Sequence, residues 1–152
     1  MEFQGSFETP ASANAVRALV LNPESIKGCL PGVTRFERVE GGFKTSFKLD
    51  VRDAGVPQMD TISIMLDLHY EESTNEIGIH GKGRAAGSGV SFNLIVIIKE
   101  HEGGSSVAWR ADVQFGWIIR LFGEKTVSEI TRKNVDSIIE CIKRELELGT
   151  VS

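Results

Sequence analysis

The sequence predicts an α+β domain in which a curved, seven-stranded antiparallel sheet wraps one long C-terminal helix. Three observations predict it. Apolar and polar residues alternate in a series of short runs, which is the period of half-buried strands. Near the C terminus the period becomes helical, with Val127, Ile130, Val135, Ile138, Ile139, Ile142 and Leu146 on one stripe. A sheet with one apolar face needs a cover, and this stripe is the only large candidate.

The first strand is residues 2–8. Phe3, Gly5 and Phe7 share one side and Glu2, Gln4, Ser6 and Glu8 the other. Thr9-Pro10 ends it. Ser12 is placed to cap a helix whose apolar positions are Val16, Leu19 and Val20. Asn22-Pro23 breaks that helix, and Pro23 opens a second short one through Lys27. Cys29-Leu30-Pro31-Gly32 then turns the chain.

Strands follow in series. Residues 33–39 and 43–51 form a hairpin around Gly41-Gly42, with Phe43, Thr45, Phe47, Leu49 and Val51 on one face of its second arm. Residues 52–60, with Gly55 and Pro57, read as a loop. In residues 61–70, Ile62, Ile64, Leu66, Leu68 and Tyr70 share a side. A turn at 72–75 leads to a strand at 76–84. Residues 90–99 carry Val90, Phe92, Leu94, Val96 and Ile98 on one face. Residues 106–116 turn Val107, Trp109, Ala111, Val113 and Phe115 inward. The long helix spans 122–146, roughly 37 Å, and Gly149 is expected to end it.

Composition bounds the function. At 152 residues the chain fits one domain, residues 1–152. It is long enough to bury about 68–70% of its unfolded surface. With 41% hydrophobic and 25% charged residues it is globular. A net charge of −4 argues against nucleic acid, whose binders need a concentrated basic face. The N terminus has neither a basic nor an apolar leader region, and no apolar run approaches the length of about 18 residues that a membrane span needs. The expected location is the cytoplasm, with a peripheral visit to the inner membrane surface left open. The two cysteines, Cys29 and Cys141, are far apart and form no CxxC. Two buried free thiols are preferred over a disulfide.

Catalytic and metal sites are hard to build from these residues. His69, His80 and His101 show no ligand spacing, and alternation sends His69 and His80 to the polar face. Cys29 lacks a local base that would lower its pKa. Acidic residues such as Asp50, Asp112, Glu140 and Glu147 fall on polar faces, which disfavours general acid–base chemistry. Asp60, Asp67 and Arg84 are the places to look should an activity appear. No catalytic residue, metal or cofactor is assigned. The glycines from Gly81 to Gly89 lead into a strand rather than a helix, so they lack the amide cradle of a nucleotide site. They suit tight turns and close backbone approach in a bent sheet. The mixed charges on the helix, from Glu124 and Lys125 to Lys143 and Glu145, suit a solvated face rather than an anionic lipid surface.

The element order resembles the helix-grip fold of the START/Bet v 1-like (SRPBCC) superfamily. Two stretches resemble one branch of it, the CoxG family of carbon monoxide dehydrogenase accessory proteins. These are Asn22-Pro23-Glu24 followed by Gly28-Cys29-Leu30-Pro31-Gly32, and the run from Gly81 to Gly87. The resemblance implies a non-catalytic accessory protein with an apolar cavity for a lipid or quinone-like molecule. It also implies a molybdenum hydroxylase of the CO-dehydrogenase type, or the membrane surface, as partner. Many members carry a hydrophobic C-terminal extension. This sequence stops at Ser152, which counts against anchoring by such a segment. Some helix-grip relatives are cyclases or hydrolases.

On this reading the cavity is lined by Phe47, Leu66, Leu68, Phe92, Leu94, Trp109, Val113, Phe115 and Phe122. It needs an enclosed volume on the order of 300 Å³ or more. The unusually apolar junction from Phe115 to Gly123 suits a gate or docking surface, with Trp117 and Arg120 as contacts. Cys29, Leu30 and Pro31 are a second contact region. The alternative function is a protein-docking or membrane-recruitment role in which the cavity is incidental. The oligomeric state is not legible.

Overall fold

The computed structural model describes residues 1–52 and 60–151. Its elements run β1 (Glu2–Thr9), α1 (Ala13–Val20), α2 (Pro23–Lys27), β2 (Arg35–Val39), β3 (Gly42–Asp50), β4 (Thr61–Glu72), β5 (Glu76–Ala85), β6 (Ser88–His101), β7 (Gly104–Phe115), α3 (Ile118–Phe122) and α4 (Glu124–Val151). The predicted loop at 52–60 lies largely outside the described residues. Its ends are joined by a backbone hydrogen bond from Val51 N–H to the Asp60 carbonyl, 2.8 Å.

All strands form one antiparallel sheet in the order β1-β7-β6-β5-β4-β3-β2. Strands β2 to β7 pair with their sequence neighbours, while β1 joins at the β7 edge. β1 and β2 are thus at opposite edges of a sheet about 29 Å wide. The segment between them must cross that width, and α1 and α2 make the crossing. Each helix starts on a local cap. The Ser12 hydroxyl accepts from Ala15 N–H and the Asn22 side-chain carbonyl from Glu24 N–H, both at 3.1 Å. Each satisfies an N–H that the first turn leaves unpaired.

The buried apolar residues form two clusters. One gathers Val16, Val20 and Ile26 from the short helices with Phe43, Ile77, Ile79 and Leu146. The other gathers Phe3, Phe47, Ile64, Trp109 and Val113 with Ile118 of α3. Phe7, Leu30, Leu66, Phe92 and Leu94 pack against both clusters yet are only partly buried. Partial exposure in the middle of the domain marks unfilled space beside them.

Between β4 and β5 the pairing sets Leu68 opposite Gly81 and Leu66 opposite Gly83. A Cβ at Gly81 would collide with the Asp67 carbonyl oxygen, and one at Gly83 with the Met65 carbonyl oxygen. The glycine run is there for backbone approach. The turn that follows it uses positive φ at Ala86 and Gly87, 50° and 80°.

Two expectations are corrected. The helix predicted over 122–146 starts at Glu124 and runs to Val151, roughly 42 Å. Gly123, at φ 85°, separates it from the one-turn α3. Glycine at position 149 does not stop it, because an exposed glycine only weakens a helix by a fraction of its stability. Secondly, Cys29 and Cys141 are not free thiols. They form a disulfide, with Cα atoms 5.6 Å apart, and both are half-buried. The pairing spans 112 residues and depends on α2 crossing the sheet to meet α4, which local spacing does not reveal. It ties the turn after α2 to the helix.

A covalent clip over so long a loop restricts the unfolded chain. Replacing both cysteines by serine is expected to cost about 2–5 kcal/mol, read as a lower midpoint in urea unfolding against the oxidised protein.

Candidate functional site

Three chambers lie in a row between the sheet and α4, with volumes of about 130, 90 and 30 Å³. Each is smaller than the volume expected from the sequence. Every element steps along the row in the same direction. On β4 the walls pass from Leu68 and Leu66 to Ile64 and then Ile62. On α4 they pass from Ile142 and Ile138 to Thr131 and then Val127. The first two chambers share Phe47, Leu66, Phe92, Val135 and Ile138, so these side chains divide one space.

The sequence-predicted lining residues come together here. Phe47, Leu66, Leu68, Phe92, Leu94 and Trp109 face the first chamber. Val113 and Phe115 face the second, and Phe122 of α3 reaches the third. The predicted contact residues do not form one group. Leu30 borders the first chamber beside the Cys29 disulfide, and the Pro31 carbonyl accepts from Lys48 N–H at 3.1 Å. Trp117 and Arg120 are at the far end of the row, on the exposed side of α3. Trp117 is 49% and Leu121 64% exposed.

Trp109 is held from two sides. Its indole lies over Gly5, where an added Cβ would come within 2.8 Å of the ring. The Arg132 guanidinium from α4 sits 5.9 Å from the ring centroid, and its Nη1 donates to the Gln4 carbonyl at 3.3 Å. This cation–π contact pins the helix to the β1 side of the sheet.

No ionisable side chain lines the three chambers among the described residues. Three polar side chains do, and each donates to nearby backbone. Thr45 donates to the Arg35 carbonyl at 3.0 Å, Thr131 to Val127 at 2.7 Å and Asn134 to Ile130 at 2.8 Å. An apolar stripe does not point to Thr131 or Asn134, because it is defined by its hydrophobic positions alone. Their spacing carries the signal: Asn134 lies four residues from both Ile130 and Ile138.

The other titratable residues lie elsewhere. Asp60, Asp67 and Arg84 are exposed on the outer side. His80 hydrogen-bonds Asn93 at 2.8 Å on that face, and His69 is its cross-strand neighbour. His101 pairs with Glu8 at 2.7 Å at an exposed edge. The Glu102 carbonyl and then Glu8 hold its pKa above the usual value. Among the described residues the buried Tyr70 hydroxyl has no hydrogen-bond partner. Burial pushes it up to about 12, so it stays neutral. Among the described residues no cluster of His, Cys, Asp and Glu is arranged to hold a metal ion.

Residues 5–147 match the model of the carbon monoxide dehydrogenase CoxG family. The chain belongs to the CoxG family. Solved structures place its fold among START proteins. A conserved protein from Geobacillus kaustophilus is 11% identical, with TM-score 0.75, over 96% of this chain and 95% of that one. A START superfamily protein from Mycobacterium smegmatis is 12% identical, with TM-score 0.68, over 97% of each chain. The Zhui aromatase/cyclase from Streptomyces sp. R1128 is 10% identical, with TM-score 0.70, over 97% of this chain and 93% of that one. At such identities the likeness shows the fold alone. A search of the curated proteins finds no match.

The chambers have a consequence for stability. Phe3 is 5% exposed and borders none of the three chambers, so Phe3→Ala is expected to cost about 3–5 kcal/mol. Phe92 borders two chambers, and Phe92→Ala is expected to cost less than half as much. Chemical denaturation of the two variants gives the comparison.

Proposed function

We propose that this CoxG-family chain is a non-catalytic carrier that holds a lipid or quinone-like molecule in the row of chambers. The observation that carries this reading is the carbon-lined space between sheet and α4, bordered by large side chains left partly exposed in the middle of the domain. An apolar molecule gains by leaving water for such a surface, at about 25 cal/mol per Å². The absence of ionisable groups from the described lining favours holding over chemistry, since acid–base catalysis needs a positioned titratable group. The aromatase/cyclase neighbour shares the fold without bringing its reaction to these residues. The family's description supports service to a CO-dehydrogenase-type molybdenum hydroxylase as the setting.

Among the described residues no helix is long and apolar enough to cross a membrane. A disulfide such as Cys29–Cys141 is uncommon in a reducing cytosol, which counts against the cytoplasmic placement expected from sequence.

Trp109 provides the test. A Trp117→Phe background leaves it as the sole tryptophan, at the wall of the first chamber. A lipophilic ligand is expected to shift its fluorescence saturably, and gentle extraction of the purified protein to release a stoichiometric lipophile. Ala111, 1% exposed at the same wall, is the plug position: Ala111→Phe is expected to weaken uptake at least tenfold. No uptake by the unplugged protein contradicts the proposal.

A second reading is docking on a partner enzyme or a membrane through α3, favoured by the exposure of Trp117 and Leu121. Trp117→Ala is then expected to lower affinity for a CO-dehydrogenase-type partner tenfold. Stability should change by less than about 0.5 kcal/mol, as for most surface substitutions. Unchanged affinity removes this surface from the account.

A further inference from the structure

We infer that the ligand is a single slender, unbranched chain of long-chain-lipid type rather than a bulky polycycle. This rests on the reading of the chambers as a ligand site and narrows it to a chemical class. The inference comes from how the free space is distributed. It is not one wide pocket but three chambers in file, tapering from about 130 to 90 to 30 Å³. The taper follows α4 from Ile142 in the first chamber to Val127 in the third. Fifteen residues of helix measure about 22 Å, the span of an extended chain of roughly sixteen to eighteen carbons.

The narrow places between chambers are made of side chains rather than backbone. Leu66 and Phe92 border both the first and the second chamber, and Phe115 both the second and the third. All three are only half-buried, so rotamer changes widen the passage without moving the sheet. A thin chain needs no more than that. A fused ring system needs α4 to move away from the sheet, against the Cys29–Cys141 bond and the Arg132 contacts with Trp109 and Gln4.

The ends of the row differ. The wide end meets α2 and the disulfide turn, with Ile26 and Leu30 in its wall. At the narrow end Ile118, 3% exposed, stands in the wall with Ala85 and Val51, each 1% exposed. The taper puts the slimmer end of the molecule under α3 and its other end near α2. A charged head has no counter-ion along the described lining, and an unpaired buried charge is costly. The head is neutral or lies outside the row.

Straight-chain alcohols from ten to twenty-two carbons, compared with cholesterol, test this by Trp109 fluorescence in the Trp117→Phe protein. Affinity is expected to rise about three- to fourfold per added carbon, then level off near sixteen to eighteen carbons. Cholesterol is expected to bind at least tenfold more weakly than hexadecanol. Ala85→Leu fills part of the narrow end and is expected to move the plateau to shorter chains. Should that variant not fold, Ile130→Phe, at a half-buried wall of the same chamber, reads the same shift. Equal binding of cholesterol, a rise without a plateau, or a plateau unmoved by the plug overturns the slender-chain inference and leaves the carrier reading standing. Failure of every probe to bind overturns the carrier reading itself.

Discussion

A single helix has to cover the inner face of a seven-stranded sheet, and most of the architecture follows from that mismatch. A helix with its side chains is about 10–12 Å across, while the sheet is about 29 Å wide. The sheet reduces the difference by curving around the helix. Backbone approaches backbone closely between β4 and β5, and only glycine at positions 81 and 83 allows it. Curvature is not enough to close the core. The α1–α2 crossing fills one end and α3 the other, each with its own buried cluster. The space left between them is the row of chambers.

The flanks of α4 are fastened differently. Toward β1 the fastening is noncovalent, through Arg132 over Trp109 and onto the Gln4 carbonyl. Toward α2 it is covalent, through Cys141 and Cys29. The helix is thereby held over the sheet at two points while the chamber walls between them are side chains free to change rotamer. Rigid fastening with soft walls is compatible with a thin guest and resists a thick one. Function on this account is a property of packing left incomplete, not of polar groups brought into register.

Much of this was legible in the sequence. The alternation in residues 61–70 and 106–116 fixed which side chains face inward, and Leu66, Leu68, Trp109 and Val113 do. Ser12, Asn22 and Pro23 marked the helix starts because capping is a local interaction. What local pattern does not carry was lost. The disulfide joins residues that meet only after the chain crosses the sheet. The break at Gly123 is a matter of backbone angle, and the apolar stripe reads straight through it. The division of the cavity depends on which rotamers Leu66 and Phe92 adopt, so inward-facing residues predicted a wall but not the size of the room. The two contact regions expected around Trp117 and around Cys29 are at opposite ends of the row, a separation that local pattern does not show.

Xenon tests the central claim most directly, because it enters dry apolar cavities and shows its position in a crystal. Crystals of the delipidated protein under xenon pressure are expected to show atoms bounded by Phe47, Leu66, Phe92 and Ile138, in line with further sites toward Thr131. Unoccupied density with α4 seated directly on these side chains would mean that the helix covers the sheet completely, and would contradict the account.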